Sequence, residues 1–137
     1  MSQENVDFVS RIFDEFGWSP AGIEAASQAG LVAPDVELDF SDLYLDGPVV
    51  RGFDEWRERF AGAAPWGQSV AFEAERAFDV DDERVLIFMR VTAQGEGSGI
   101  PVEIRAAHLF TIRDGVLARW KGYSDRSAAL EATGVEE

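Results

Sequence analysis

The sequence predicts an α+β domain in which helices come first and an antiparallel sheet follows. Three observations carry this prediction. Apolar residues recur at spacings of three and four near the start of the chain, as on one face of an amphipathic helix. From residue 70 onward they alternate instead, as in half-buried strands. Short turns at Asp81-Asp82-Glu83, at 95–99 and at Arg113-Asp114-Gly115 separate those strands, and antiparallel neighbours are the strands that such short connections can join.

The elements follow in order. Val6, Val9, Phe13 and Phe16, with Ile12 beside them, give a first helix over residues 4–16, and Gly17 ends it. Ser19-Pro20 supplies an N-cap and a proline at the first helical position, so a second helix runs to about Ala29 and stops at Gly30. Its interior is small (Ala21, Ala25, Ala26, Ala29), which permits close approach to a neighbour. Pro34-Asp35 breaks the chain, and Val36, Leu38 and Phe40 then alternate with Glu37 and Asp39 as a short strand. An irregular piece over 41–51 holds Tyr44, Gly47 and Pro48. Gly52 precedes a third helix, with Phe53, Trp56 and Phe60 on one side and Asp54, Glu55, Arg57, Glu58 and Arg59 solvated, closed by Ala64-Pro65-Trp66-Gly67. Four long strands follow, over about 70–80, 84–94, 102–112 and 116–124, and 128–132 forms a last helical turn ending at Gly134. Helices gathered on one side of such a sheet make an α+β domain.

Composition limits what the protein can do. A chain of 137 residues with 46% hydrophobic residues reads as one domain with a real core. No run reaches the roughly 18 apolar residues of a membrane span. The start, Met1-Ser2-Gln3-Glu4-Asn5, lacks a signal-peptide pattern, so the expected location is the cytoplasm. The absence of cysteine removes disulfides and thiolate chemistry, and a single histidine cannot assemble the usual zinc sets. No metal or cofactor is expected. A formal charge of −14 argues against nucleic acid and anionic lipid, because binding phosphate needs clustered Lys and Arg. The glycines at 95, 97 and 99 lack dinucleotide-binding spacing, since Ile100 stands at the third position, and Asp79, Asp81 and Glu83 lack the glycine of a calcium loop, which is Arg84 here.

The strand over 102–112 places the single histidine, His108, on one face with Val102, Ile104, Ala106, Phe110 and Ile112. The following turn decides what lies opposite it. A three-residue Arg113-Asp114-Gly115 loop with left-handed Gly115 pairs Ile112 with Val116, Phe110 with Ala118 and His108 with Trp120. A two-residue Asp114-Gly115 turn sets Arg119 level with Phe110. Patterning favours the bulged loop, which keeps Glu103, Arg105, Thr111, Arg119 and Lys121 on one face and His108 and Trp120 on the other.

The element order, together with Val36-Glu37-Leu38-Asp39-Phe40, Val50-Arg51-Gly52, Ala107-His108-Leu109-Phe110 and Arg113-Asp114-Gly115, resembles the SnoaL-like branch of the nuclear transport factor 2-like superfamily, from about Gln3 to Leu130. The resemblance implies a cone: a curved sheet wrapped around three helices of the N-terminal half, with a ligand cavity inside and commonly a dimer through the outer sheet face. The superfamily hosts cyclases, isomerases, dehydratases, epoxide hydrolases and non-catalytic binders, so the fold alone assigns no activity. Ketosteroid isomerase is similar in fold. Its protonated oxyanion-hole aspartate falls on His108, its general-base aspartate on Phe40 and its tyrosine on about Ile12, which argues against steroid isomerisation by that machinery. Asp39 lies one residue from the base position and points to the other face unless the strand bulges.

His108 is the candidate catalytic residue, as a general acid or base, or the donor of one hydrogen bond to a ligand. The alternative is a buried neutral imidazole satisfied by Trp120, Tyr44 or a backbone group. Trp120, Phe110, Phe40, Tyr44, Trp56, Phe60, Phe13, Phe72 and Met89 are the candidate ligand-lining residues, an apolar set of the kind that small-molecule sites use. Arg76 interrupts the inward series Val70, Phe72, Ala74 and Phe78. It either lines the cavity or is turned out by a bulge. Asp39, Asp42 and Asp125 sit at strand ends or loops. On the opposite face Leu86, Phe88, Leu109, Leu117 and Tyr123 mix with Arg90, Arg105 and Arg119. A single chain would expose these as a large apolar patch, which predicts a homodimer through that face, unless the C-terminal segment covers it. The expected function is binding of a small, apolar, uncharged compound, with or without cofactor-free isomerase, cyclase or hydratase activity. The other reading is a non-catalytic dimeric interaction module whose cone is filled by its own aromatics.

Overall fold

The computed structural model describes residues 2–16, 20–42, 49–52, 54, 55, 58, 70–94 and 101–136. Helices α1 (Ser2–Phe16) and α2 (Pro20–Gln28) lead into strands β1 (Val32–Asp42), β2 (Val49–Arg51), β3 (Val70–Asp79), β4 (Arg84–Gln94), β5 (Pro101–Arg113) and β6 (Val116–Tyr123), and helix α3 (Arg126–Thr133) follows. Most of the predicted third helix, with Trp56 and Phe60, lies outside the described residues, as does Tyr44. The strands form one curved, open sheet in the order β2-β1-β6-β5-β4-β3. Every pairing is antiparallel except β1 with β6, which run parallel, so the sheet is mixed.

Sequence chemistry accounts for the boundaries. At the end of α2, Gly30 adopts φ +82°, and the amides of Gly30 and Leu31 bond back to the carbonyls of Ser27 and Ala26, which closes the helix with a left-handed cap. Strand β1 starts earlier than the alternation suggests and runs through Pro34. Its ladder with β6 is irregular between Val32 and Glu37, so the missing proline N–H breaks no regular pairing there. Helix α3 is capped in front by Asp125, whose carboxylate accepts from the Ser127 amide at 2.9 Å, and behind by left-handed Gly134.

Two bulges set which residues face inward. The β5–β6 turn has two residues, with Asp114 at φ 54° and Gly115 at φ 78°, the mirror-image turn that suits twisted strands. Arg113 pairs with Val116 and Ile112 with Leu117. The register then slips by one at Ala118, so Thr111 pairs with Arg119, Phe110 with Trp120 and His108 with Gly122. The expected bulged loop is therefore replaced by a tight turn with the extra residue inside β6. This corrects the pairing of His108 with Trp120, and it moves Leu117 from the outer face to the inner core, where it is fully buried. In β3 a second slip between Ala74 and Arg76 sets Arg76 opposite Phe88 and Phe78 opposite Leu86. Phe78, expected inside, packs on the outer face instead, edge-on to Phe88 at 4.9 Å.

The core has two layers. On the inner face Val36, Leu38, Val50, Val85, Ile87, Phe110, Ile112, Leu117 and Trp120 pack under Val9, Ile12 and Phe13 of α1 and Ala26 of α2. On the outer face Phe78, Leu86, Phe88, Ala107 and Leu109 pack under Ala129 of α3, with Leu130 and Val135 alongside. Helices thus lie on both faces of the sheet. Leu86, Phe88 and Leu109 are 0%, 3% and 5% exposed in the single chain. The large exposed patch that argued for a dimer is covered by α3, and that argument loses its premise. Among the described residues, no helix is long and apolar enough to cross a membrane.

Candidate functional site

His108 is the chemically distinctive residue of the inner face. It lies in the middle of β5, opposite Ile87 of β4 and Gly122 of β6, and is 4% exposed. Because Gly122 has no side chain, the indole of Trp120, two residues earlier in β6, reaches diagonally across the sheet. Its Nε1–H donates to His108 Nδ1 at 2.8 Å. The two rings meet edge-on at 5.7 Å, and Phe110 stacks on the imidazole at 6.4 Å. Phe13 of α1 packs against Phe110 at 5.2 Å and against Trp120 at 5.7 Å, which closes the cluster from the helix side.

This contact fixes the state of the imidazole. An indole N–H is a donor only, so the nitrogen it reaches must carry a lone pair. Burial pushes the His108 pKa down to about 4, so at neutral pH the ring is uncharged. An uncharged ring with Nδ1 as acceptor carries its proton on Nε2. Nε2 is on the edge of the ring farthest from the backbone, and no described residue accepts a hydrogen bond from it. The arrangement therefore suits donation of a hydrogen bond better than exchange of a proton.

The other expected site residues fall into three groups. Phe13, Phe110, Trp120 and Met89 are buried, with Met89 opposite Ala106 of the neighbouring strand. The Trp120 N–H, expected as a ligand contact, is taken by His108. Phe40 and Phe72 lie in β1 and β3 with side chains outside the described set, and Tyr44, Trp56 and Phe60 lie wholly outside it. Arg76 is the correction: the β3 bulge turns it to the outer face, where it is exposed and its guanidinium lies 4.7 Å from the Phe78 ring.

Asp39 also faces outward, among Arg119, Lys121 and Ser41. Burial works to raise its pKa, but the Ser41 hydroxyl and amide, with Lys121 and Arg119, outweigh this and leave it lowered. It is an ion-pairing residue of the sheet, with Glu37 bridging Arg51 and Arg119 beside it.

One structural residue escaped the sequence reading. Arg126, the first residue of α3, donates to the carbonyls of Ala106 and Met89, pairs with Glu75 and lies over the Phe88 ring. Glu75 is the bulged residue of β3, so the bulge that turns Arg76 outward also supplies the carboxylate that anchors α3. The signal was an arginine directly after the helix cap at Asp125. Its partners, however, come from strands far away in sequence.

An open cleft of about 630 Å³ lies elsewhere, between α2, the start of β1 and β2, with Glu24, Asp35, Arg51 and Glu55 among its lining residues. Most of its lining residues are charged or polar, and none belongs to the inner face. Among the described residues no group of three or more His, Asp or Glu is placed to hold a metal ion.

Comparison with known proteins places this geometry in a family. The SnoaL-like domain family matches residues 9–120. No curated protein matches the chain. Among solved structures, a protein described as a SnoaL-like polyketide cyclase from Jannaschia sp. CCS1 is 21% identical with a TM-score of 0.66, over 99% of this chain and 95% of that one. TerC, co-crystallised with polyporic acid, is 18% identical with a TM-score of 0.66, over 96% and 98%. The epoxide hydrolase/cyclase-like enzyme SalBIII, linked to pyran ring formation in salinomycin, is 14% identical with a TM-score of 0.64, over 91% and 93%. At these identities the likeness shows the fold, an α+β cone. With four-fifths of its length matched, the chain belongs to the SnoaL-like domain family.

Proposed function

We propose that the protein binds a small, largely apolar, uncharged molecule against the inner face of its sheet, with His108 as the polar contact. The observation that carries this reading is the outer edge of a 4% exposed, neutral imidazole, whose Nε2–H donates to no described residue. A ligand acceptor placed there would add a hydrogen bond worth about 0.5–1.5 kcal/mol net. Phe13, Phe110 and Met89 supply apolar surface around it, to which Phe40, Tyr44, Trp56, Phe60 and Phe72 would add the remainder of the lining. The cyclase names of two structural neighbours, and the polyporic acid crystallised with a third, agree with small-molecule chemistry on this fold. In an enzymatic version His108 would polarise a ligand oxygen in an isomerisation, cyclisation or hydration that needs no cofactor.

Replacing His108 with Ala tests the reading. A thermal-shift screen of neutral aromatic compounds should give hits with the wild type. In the variant, which should stay folded, those hits weaken by several-fold. A variant that fails to fold would make His108 a structural residue, and ligand binding unaffected by the change would remove it from the site.

A further inference from the structure

Nothing in an isolated imidazole decides which nitrogen carries the proton, and the choice decides what the ring can recognise. Here Trp120 decides it. Its indole is held by its strand pairing with Phe110, by Leu38 opposite it on β1 and by the Phe13 ring, so its N–H is aimed at Nδ1 by packing on several sides. We propose that Trp120 is a positioning residue that holds His108 as the Nε2–H tautomer, and that the site therefore selects neutral ligands presenting a carbonyl oxygen. This rests on the inner face being the ligand site.

Two arguments narrow the class to carbonyls. Ile87 lies opposite His108, Phe110 and Trp120 meet its ring, and none of the three has an oxygen acceptor. The acceptor nitrogen of His108 is occupied by the indole. Against the described side chains, a ligand hydroxyl or amine would bury its own donor without a partner, whereas a carbonyl brings only an acceptor. A carboxylate would leave most of its charge desolvated against one neutral donor, which excludes anions on the same ground.

The test has two parts on one isotope-labelled sample at neutral pH. In the free protein, NMR of the imidazole nitrogens should show Nε2 protonated and Nδ1 unprotonated. Fluorenone and fluorene, matched in shape and differing by one carbonyl, then probe selectivity. Fluorenone should bind about three- to tenfold more tightly, the range one net hydrogen bond provides, and its carbonyl stretch should fall on binding. In Trp120→Phe the protonation preference should be lost and the fluorenone advantage should shrink. A purely structural tryptophan would weaken both probes alike and leave the tautomer unchanged, which would overturn its positioning role. Neither wild-type measurement needs the variant, so both hold if it does not fold. A protonated Nδ1 in the wild type, or equal affinity for the two probes, overturns the proposal. If neither probe binds, the ligand site and its selectivity fall together, whereas an Nε2–H ring in that sample would still uphold the role of Trp120 in setting the tautomer.

Discussion

A histidine buried without a carboxylate beside it stays neutral because charging it would cost more than water can repay, and this makes stability depend on pH. The folded ring titrates at about 4 and an exposed one near 6.5. Between those values the unfolded chain binds a proton that the folded one refuses, so stability falls as pH drops through this window and is complete above it. The difference of about 2.5 units corresponds to roughly 3 kcal/mol by the lower end. Urea melts taken at steps from neutral pH to pH ~4 should show this loss, and His108→Phe should flatten it. Asp39 acts in the opposite range: its lowered pKa gives stability that is present above its ordinary value of 3.8 and lost only below it. The two residues are therefore separable by pH. The position of His108 on an apolar face was legible from alternation alone. Its tautomer was not, because that depends on a diagonal neighbour whose register the sequence leaves open.

At the scale of the element, the β5–β6 hairpin shows how far patterning can be read. Alternation places Trp120 with His108 and Phe110 whether the extra residue sits in the turn or one step inside the strand. The two choices differ in where Val116, Leu117 and Ala118 point and in whether Trp120 stands opposite His108 or Phe110, and three small or apolar residues do not discriminate between faces. The structure puts the extra residue at Ala118 because Asp114-Gly115 fits a two-residue turn with positive φ at both positions. Gly115→Ala would force a Cβ into that left-handed conformation. It should cost about 1–2 kcal/mol in a denaturation midpoint while leaving the inner face intact. The same limit applies in β3, where Arg76 interrupts an apolar series. Charge alone does not say whether the residue is tolerated inside or expelled by a bulge, and the structure shows the bulge.

For the whole molecule, the order of helices and strands was legible because periodicities near 3.6 and 2 are set by backbone geometry. The parallel entry of β1 beside β6 and the cover of the outer face by α3 were not, since both join residues distant in sequence. Arg126 ties that cover to the sheet through two strand carbonyls and Glu75. Arg126→Ala should cost about 1–2 kcal/mol, discounted for the partial exposure of the pair. Loosening α3 uncovers Phe88 and Leu109, so sedimentation should show this variant associating with rising concentration more than the wild type does. The inner face, through His108, is proposed to receive a neutral ligand. Titrating fluorenone into labelled protein while following the His108 Nε2–H signal tests it most directly. This proton should move downfield in step with binding, as a donor engaging an oxygen does. Binding that leaves the His108 signal unmoved and shifts residues of the Glu24–Arg51 cleft instead would contradict it.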